Sequence, residues 1–425
     1  MLTPVTIYYF IFAPSIPLTS ITRHRVFMLS ISENILLFVS GAGILQAVFL
    51  STLIYFHPKS ERSVTRFLAL YIMCISIPML LPLGQFLFPW QTFIFLAPFS
   101  LLQGPLLYLY VRSFKEVITW KKAWPHFLLF IIYFFIIGWV SIGLGSKYPP
   151  TRNMPPDLLH SPATIIPISL RYLQMLLYFV LSHKELNSYR RSIQHLFSET
   201  SRINLSWVKL LVNGYLMLTL AAIGLYSVVL RYSEYFSSLV LINAAIVTPY
   251  IYLAAYKGIY QPALWQIQPG MSKEKVEEEI LRAEEIDVSK SKGEKRVTQK
   301  LRMGESKMEE ILTKIISAIK QDKLYQESEL TLQNLADKLQ VPSYQVSQAI
   351  NEGLKKNFYD LINGYRVEEA KRLLLDSKNR NYTILSVGFE AGFNSKTTFN
   401  TVFKKFTGLT PTEYREKQRS RLVSA

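Results

Sequence analysis

Apolar positions along the chain fall into two regimes. Up to about residue 257 they form near-continuous runs separated by short basic or Pro-rich breaks. The runs are Ile35–Phe56, Phe67–Pro89, Thr92–Val111, Phe127–Leu144, Ala163–Ser182, Trp207–Leu230 and Ser238–Tyr256. A helix needs about 20 apolar residues to cross the hydrocarbon of a bilayer, so this pattern predicts seven spans. Pro and Gly inside the runs, as in Gln103-Gly104-Pro105, fit a membrane helix, where neighbours satisfy the freed backbone groups. Trp90, Trp120 and Trp124 stand near run ends, where an interfacial aromatic belt is expected.

Beyond residue 306 the apolar positions recur at helical spacing instead. Ile311, Leu312, Ile315, Ile316 and Ile319 mark an amphipathic helix over 308–319. A two-helix pattern then occurs twice. Thr331 caps a short helix carrying Leu332, Leu335, Ala336 and Leu339; a turn at Gln340-Val341 leads to a second helix with Val346 and Ile350 inward. Thr383 caps a helix with Ile384, Val387, Gly388 and Ala391 at the same offsets; Gly392-Phe393 turns into a helix with Phe399 and Phe403 inward. The small residues Ala336 and Gly388 permit the close crossing of a helix-turn-helix. One long helix over 357–375 separates the copies. At 1.5 Å per residue it spans roughly 28 Å, near the 34 Å of one DNA turn. Two recognition helices held that far apart reach successive major grooves on one DNA face.

Charge divides the chain at the same place. The formal net charge is +17. Residues 1–270 hold 19 Lys/Arg and 7 Asp/Glu, against 28 and 23 in residues 271–425. A single soluble globule is excluded. The loops 57–66, 112–126 and 183–206 carry 11 Lys/Arg, while the alternate loops carry 3. The positive-inside rule therefore puts the first set, and the C-terminal half, in the cytoplasm. Residues 258–306 read as a charged cytoplasmic linker, dense in Glu and Lys across 272–300. Residues 1–31 stay unassigned: Ile7–Leu18 is apolar but broken by Pro14 and Pro17, and lacks the preceding positive charge of a secretory signal. An extra span and a misassigned start at Met28 both stay open. The domains expected are thus 32–257 in the membrane and 307–425 on DNA.

Candidate chemistry is sparse. Cys74 is the single cysteine, and all six His precede residue 270 without metal-ligand spacing. No Walker loop, Gly-x-Ser-x-Gly, His-Glu-x-x-His or kinase set occurs, so no enzyme, metal or cofactor is expected. Arg171 falls mid-span near Gln174. A central Arg costs about 2.5–3.5 kcal/mol on insertion scales, which makes Arg171 and Gln174 a candidate signal site, weighed against a structural bond to carbonyls of neighbouring helices.

The run from Val387-Gly-Phe-Glu-Ala-Gly-Phe-Asn-Ser-Lys through Thr410-Pro-Thr-Glu-Tyr-Arg415 resembles the signature of AraC-type (AraC/XylS) transcription regulators. Ser347-Gln-Ala-Ile-Asn-Glu352 and Asn357–Leu374 resemble the first half of the same module. The resemblance covers about 310–418 and departs from the family at Gly388, where Ala is commoner, and at Gln345, where an aromatic is. It implies an all-α fold: a seven-helix double helix-turn-helix, here following a seven-span helix bundle. It also implies a regulator in a bacterial inner membrane, multi-pass, with double-stranded DNA as partner. Membrane lipid and an unidentified small-molecule or protein signal are the other expected partners, and homodimerisation is left open. The implied base contacts are Tyr344, Ser347 and Gln348 on the first recognition helix and Lys396, Thr397, Asn400 and Thr401 on the second. Asn351 is read as facing outward beside them. Gln and Asn can pair with adenine and Lys with guanine. Lys355, Lys356, Lys404, Lys405 and Arg415 are expected on phosphates. The alternative, a transporter or membrane enzyme with a regulatory DNA-binding tail, would want intramembrane carboxylates, and the spans hold none. A bundle that only anchors the reader stays open.

Overall fold

A computed structural model of the protein describes residues 31–56, 62–80, 94–116, 118–147, 156–200, 205–232, 236–259, 303–376 and 381–423. The first 30 residues and nearly all of the expected linker lie outside this set. The described residues are helical, with no strand; an isolated antiparallel bridge joins Phe197 and Thr331. The chain forms two compact units, one of residues 1–186 with 206–263, the other of 187–205 with 264–425.

The first unit contains α1 (Ile31–Tyr55), α2 (Arg62–Ser76), α3 (Gln103–Arg112), α4 (Leu128–Lys147), most of α5 (Pro162–Leu196), α6 (Ser206–Arg231) and α7 (Phe236–Ile259). Helix occupies the described part of each predicted apolar run. Among the described residues, four stretches are long and apolar enough to cross a membrane by length and composition: Leu37–Tyr55, Trp120–Val140, Pro162–Leu196 and Ser206–Arg231; Val64–Met79 is shorter. The second and third runs are less regular than a single α-helix. α2 narrows into a 3-10 turn over Ile77–Met79, where Pro78 lacks an N–H to donate, and Ile94–Leu102 is 3-10 around Pro98 before α3 begins.

α2 packs against α1, α3 and α7, and α6 against α7. Their interior is tyrosine-rich. Tyr250 Oη donates to the Leu211 carbonyl at 2.9 Å and lies 2.7 Å from Tyr71 Oη. The outward faces are apolar: Trp139 is 82% exposed and Phe38 77%, with Leu45, Phe135 and Met217 alike. Water would penalise so extensive an apolar surface, whereas lipid would not.

The second unit holds α8 (Glu305–Gln321), α9 (Leu332–Leu339), α10 (Ser343–Gln348), α11 (Phe358–Leu375), α12 (Ile384–Glu390), α13 (Lys396–Thr407) and α14 (Pro411–Val423). α8 covers α9 and α10, while α11 packs on α12, α13 and α14. The core of the second half joins Val367, Ala370 and Leu374 of α11 to Val387, Phe393, Phe399, Val402 and Phe403. The last turns of α5 and the following segment, residues 187–205, belong to this unit. The sequence reading placed them in a loop of the membrane half.

Candidate nucleic-acid interface

Each recognition helix is set by a capped helix before it. Thr331 and Asn334 form a reciprocal capping box, with Asn334 N donating to Thr331 Oγ1 and Thr331 N to Asn334 Oδ1, both at 3.1 Å. Gln340 then turns in the left-handed region at φ 53°, and α10 begins behind Pro342. α10 runs into a π-turn over Ala349–Gly353, a local widening that re-aims the side chains following it. Val346 and Ile350 are buried as expected.

In the second copy, Thr383 Oγ1 accepts from Ser386 N at 3.0 Å and Ser395 Oγ from Thr398 N at 3.1 Å, capping α12 and α13. Gly392 has φ +95°, and a Cβ there would stand 2.4 Å from the Tyr325 carbonyl oxygen. A Cβ is the reason no other residue fits. Gly388 meets the ring of Phe399 as closely as the crossing requires, since a Cβ would lie 2.7 Å from Cδ1. Phe399 and Phe403 are fully buried.

The expected base-contact residues divide by exposure. On α13, Lys396, Thr397 and Thr401 are exposed and Asn400 half-buried. On α10, Tyr344 is exposed and Gln348 half-buried, its Nε2 donating to Glu352 Oε1 at 3.3 Å. Ser347 is buried and accepts from Asn351 Nδ2 at 3.2 Å. Asn351, which helical phase turned outward, is also buried, one turn on from Ser347 and bonded to it. Among the phosphate candidates, Lys355, Lys356, Lys404 and Lys405 are exposed. Lys405 Nζ is held at 2.6 Å by Asp360 Oδ1, and Arg415 Nη1 donates to the Tyr382 carbonyl at 2.9 Å.

Sequence reasoning missed the centre of this unit. Arg366 of α11 is fully buried. Nε donates to the Tyr325 carbonyl at 2.7 Å and Nη2 to the Glu327 carbonyl at 2.7 Å. Nη1 and Nη2 reach the Ser198 carbonyl at 3.4 Å and its hydroxyl at 3.2 Å. Asn363 Nδ2 donates to the same Ser198 carbonyl at 2.9 Å, and Ser198 Oγ donates to the Leu330 carbonyl at 2.6 Å. Next along, Glu199 Oε1 accepts from Thr398 Oγ1 of α13 at 3.4 Å. Burial pulls the Arg366 guanidinium down to about 10, with Glu199 opposing, so it stays charged at neutral pH. The available signal was an Arg one turn from Ile362 and from Ala370 on an apolar helix face.

The candidate signal pair is split. Arg171 lines a cavity of about 200 Å³ within the first unit; Gln174 is outside its lining and donates to the Leu101 carbonyl at 3.2 Å.

A profile of the family described as a helix-turn-helix domain matches residues 335–417, from within α9 to the middle of α14. No curated protein and no solved structure matches the chain significantly. With each recognition helix set behind a capped helix, residues 335–417 form an AraC-type helix-turn-helix domain, and the chain is a DNA-binding transcription regulator.

Proposed function

We propose that the chain is a membrane-anchored regulator in which the helical bundle receives a membrane or extracytoplasmic signal and the double helix-turn-helix reads a promoter. The observation that carries this reading is one chain holding four helices of membrane-crossing length and composition together with the AraC-type domain. The 11 against 3 Lys/Arg asymmetry supports a cytoplasmic reader. Tyr344, Gln348, Lys396, Thr397, Asn400 and Thr401 are proposed base contacts, with Ser347, expected beside them, buried behind the helix surface. Lys355, Lys356, Lys404, Lys405 and Arg415 are proposed phosphate contacts.

The test is a footprint of the full-length protein in vesicles on promoter DNA. Protection of two major-groove segments one turn apart, on one face of the duplex, is expected. A single protected segment would mean that only one recognition helix engages. A reporter fused after Lys257 that is active only outside the cytoplasm would end the reading.

A further inference from the structure

The Arg171 cavity combines a charge with three polar atoms that the bundle itself leaves unanswered. It is walled by Ile75, Leu218, Leu225 and Val247, with Ser100, Gln103, Thr219 and Asn243 on its lining. Arg171 Nε is sealed from solvent and has no hydrogen-bond partner among the described residues. The hydroxyls of Tyr215 and Tyr226 share that condition and line the same space. The Arg171 guanidinium stacks over the ring of Tyr172 with its carbon 4.7 Å from the centroid, which holds the side chain beside the cavity. A guanidinium in apolar surroundings needs a compensating anion or acceptors. Among the described residues no carboxylate side chain lines the cavity.

We infer that this cavity binds a small amphipathic carboxylate, its head on Arg171 and the Tyr215 and Tyr226 hydroxyls and its apolar body against Leu218, Leu225 and Val247. The planar fork of Arg matches a carboxylate bidentately, and two phenol O–H groups can donate to the oxygens the fork leaves. The volume limits the size. A cavity of about 150 Å³ accepts benzene, so about 200 Å³ takes roughly eight to ten non-hydrogen atoms, with octanoate at the upper end. This names the signal class for the regulator proposed above and rests on that reading only for its physiological meaning.

The experiment uses the full chain in nanodiscs of zwitterionic lipid without DNA, so a failure to bind promoter leaves its outcome unaffected. Saturable binding of radiolabelled octanoate is measured against competition by octanol and octylamine. Octanoate is expected to bind one per chain, at least tenfold tighter than octanol, with octylamine weaker still. Arg171→Gln should abolish the preference for octanoate over octanol. Arg171→Lys, which keeps the charge and loses the fork, should retain part of it, and Tyr226→Phe should weaken octanoate severalfold. Tyr226→Phe keeps the reading testable if the Arg171 variants fail to reach the membrane. Equal affinity for octanoate and octanol, or unaltered binding in Arg171→Gln, overturns the inference. Octanoate displaced by phosphatidylglycerol added to the disc, with no selectivity in its absence, would assign the cavity to a lipid headgroup and overturn it as well.

Discussion

Ser198 and Arg366, 168 residues apart in the chain, meet through both oxygens of the serine. The serine lies between two apolar helices and the arginine in the middle of the DNA-reading unit's long helix. Around them, Tyr325, Glu327 and Leu330 supply carbonyls and Asn363 a donor, so one residue from the earlier segment completes the hydrogen bonding of a buried cation.

Removing the serine hydroxyl should therefore loosen the unit. Ser198→Ala deletes the bond to Leu330 and one to Arg366, and leaves the Leu330 carbonyl and the Arg366 Nη2 donor facing an apolar methyl. A loss of about 1–3 kcal/mol is expected, read as faster amide exchange in 324–330 and 358–366 of the full-length protein. Exchange unchanged in both segments would show that the contact carries no stability.

The same contact predicts how the unit can be divided. A fragment of 303–425 should unfold at lower temperature than a fragment in which 187–205 is joined to it by a flexible linker. Calorimetry of the two side by side decides. Equal melting temperatures would make 187–205 a passive passenger.

Gly392 connects this network to the second recognition helix. Its left-handed backbone costs about 1–3 kcal/mol for another residue, and an added methyl would push the Tyr325 carbonyl that accepts from Arg366. Gly392→Ala should lower the unfolding free energy by at least that amount, with DNA affinity falling in parallel. An unfolding free energy within about 0.5 kcal/mol of the parent would contradict the geometry.

On DNA, Asn400→Ala should cost about 1–3 kcal/mol at a single base position, whereas Lys404→Ala should weaken all sequences alike and reduce the salt slope by about 1. Lys405 is a different case, because Asp360 already holds its ammonium. Asp360→Asn frees it and should tighten non-specific binding. Titrations at several salt concentrations separate the three, and a drop in affinity for Asp360→Asn would mean that the pair positions Lys405 for phosphate.

Most of the reader was legible in the sequence because it follows local rules. The threonine caps, the glycine turn and the inward phenylalanines are each decided by neighbours within a turn or two. Arg366 was not, since its partners lie at Tyr325, Glu327 and Ser198, and no periodicity reports contacts at such separations. Ser347 and Asn351 flank the inward Val346 and Ile350, and phase alone does not say how wide the buried face is; the two polar side chains are buried as a bonded pair at i,i+4. In the apolar half, composition placed helices but was blind to the continuation of α5 to Leu196, where the apolar pattern fades and packing takes over. Arg171 was singled out by its charge alone; that the Tyr215 and Tyr226 hydroxyls converge on it required the fold.

For a chain that spans a bilayer, as proposed above, the Ser198 contact also constrains the path. Ser198 and Arg366 can touch only if they lie on the same side, so the number of crossings between residues 205 and 303 must be even. α6 and α7 occupy that stretch, and parity ties them together: both cross or neither does. This condition owes nothing to the lysine and arginine count, yet it agrees with a topology in which the basic 183–206 segment and the DNA reader share a compartment.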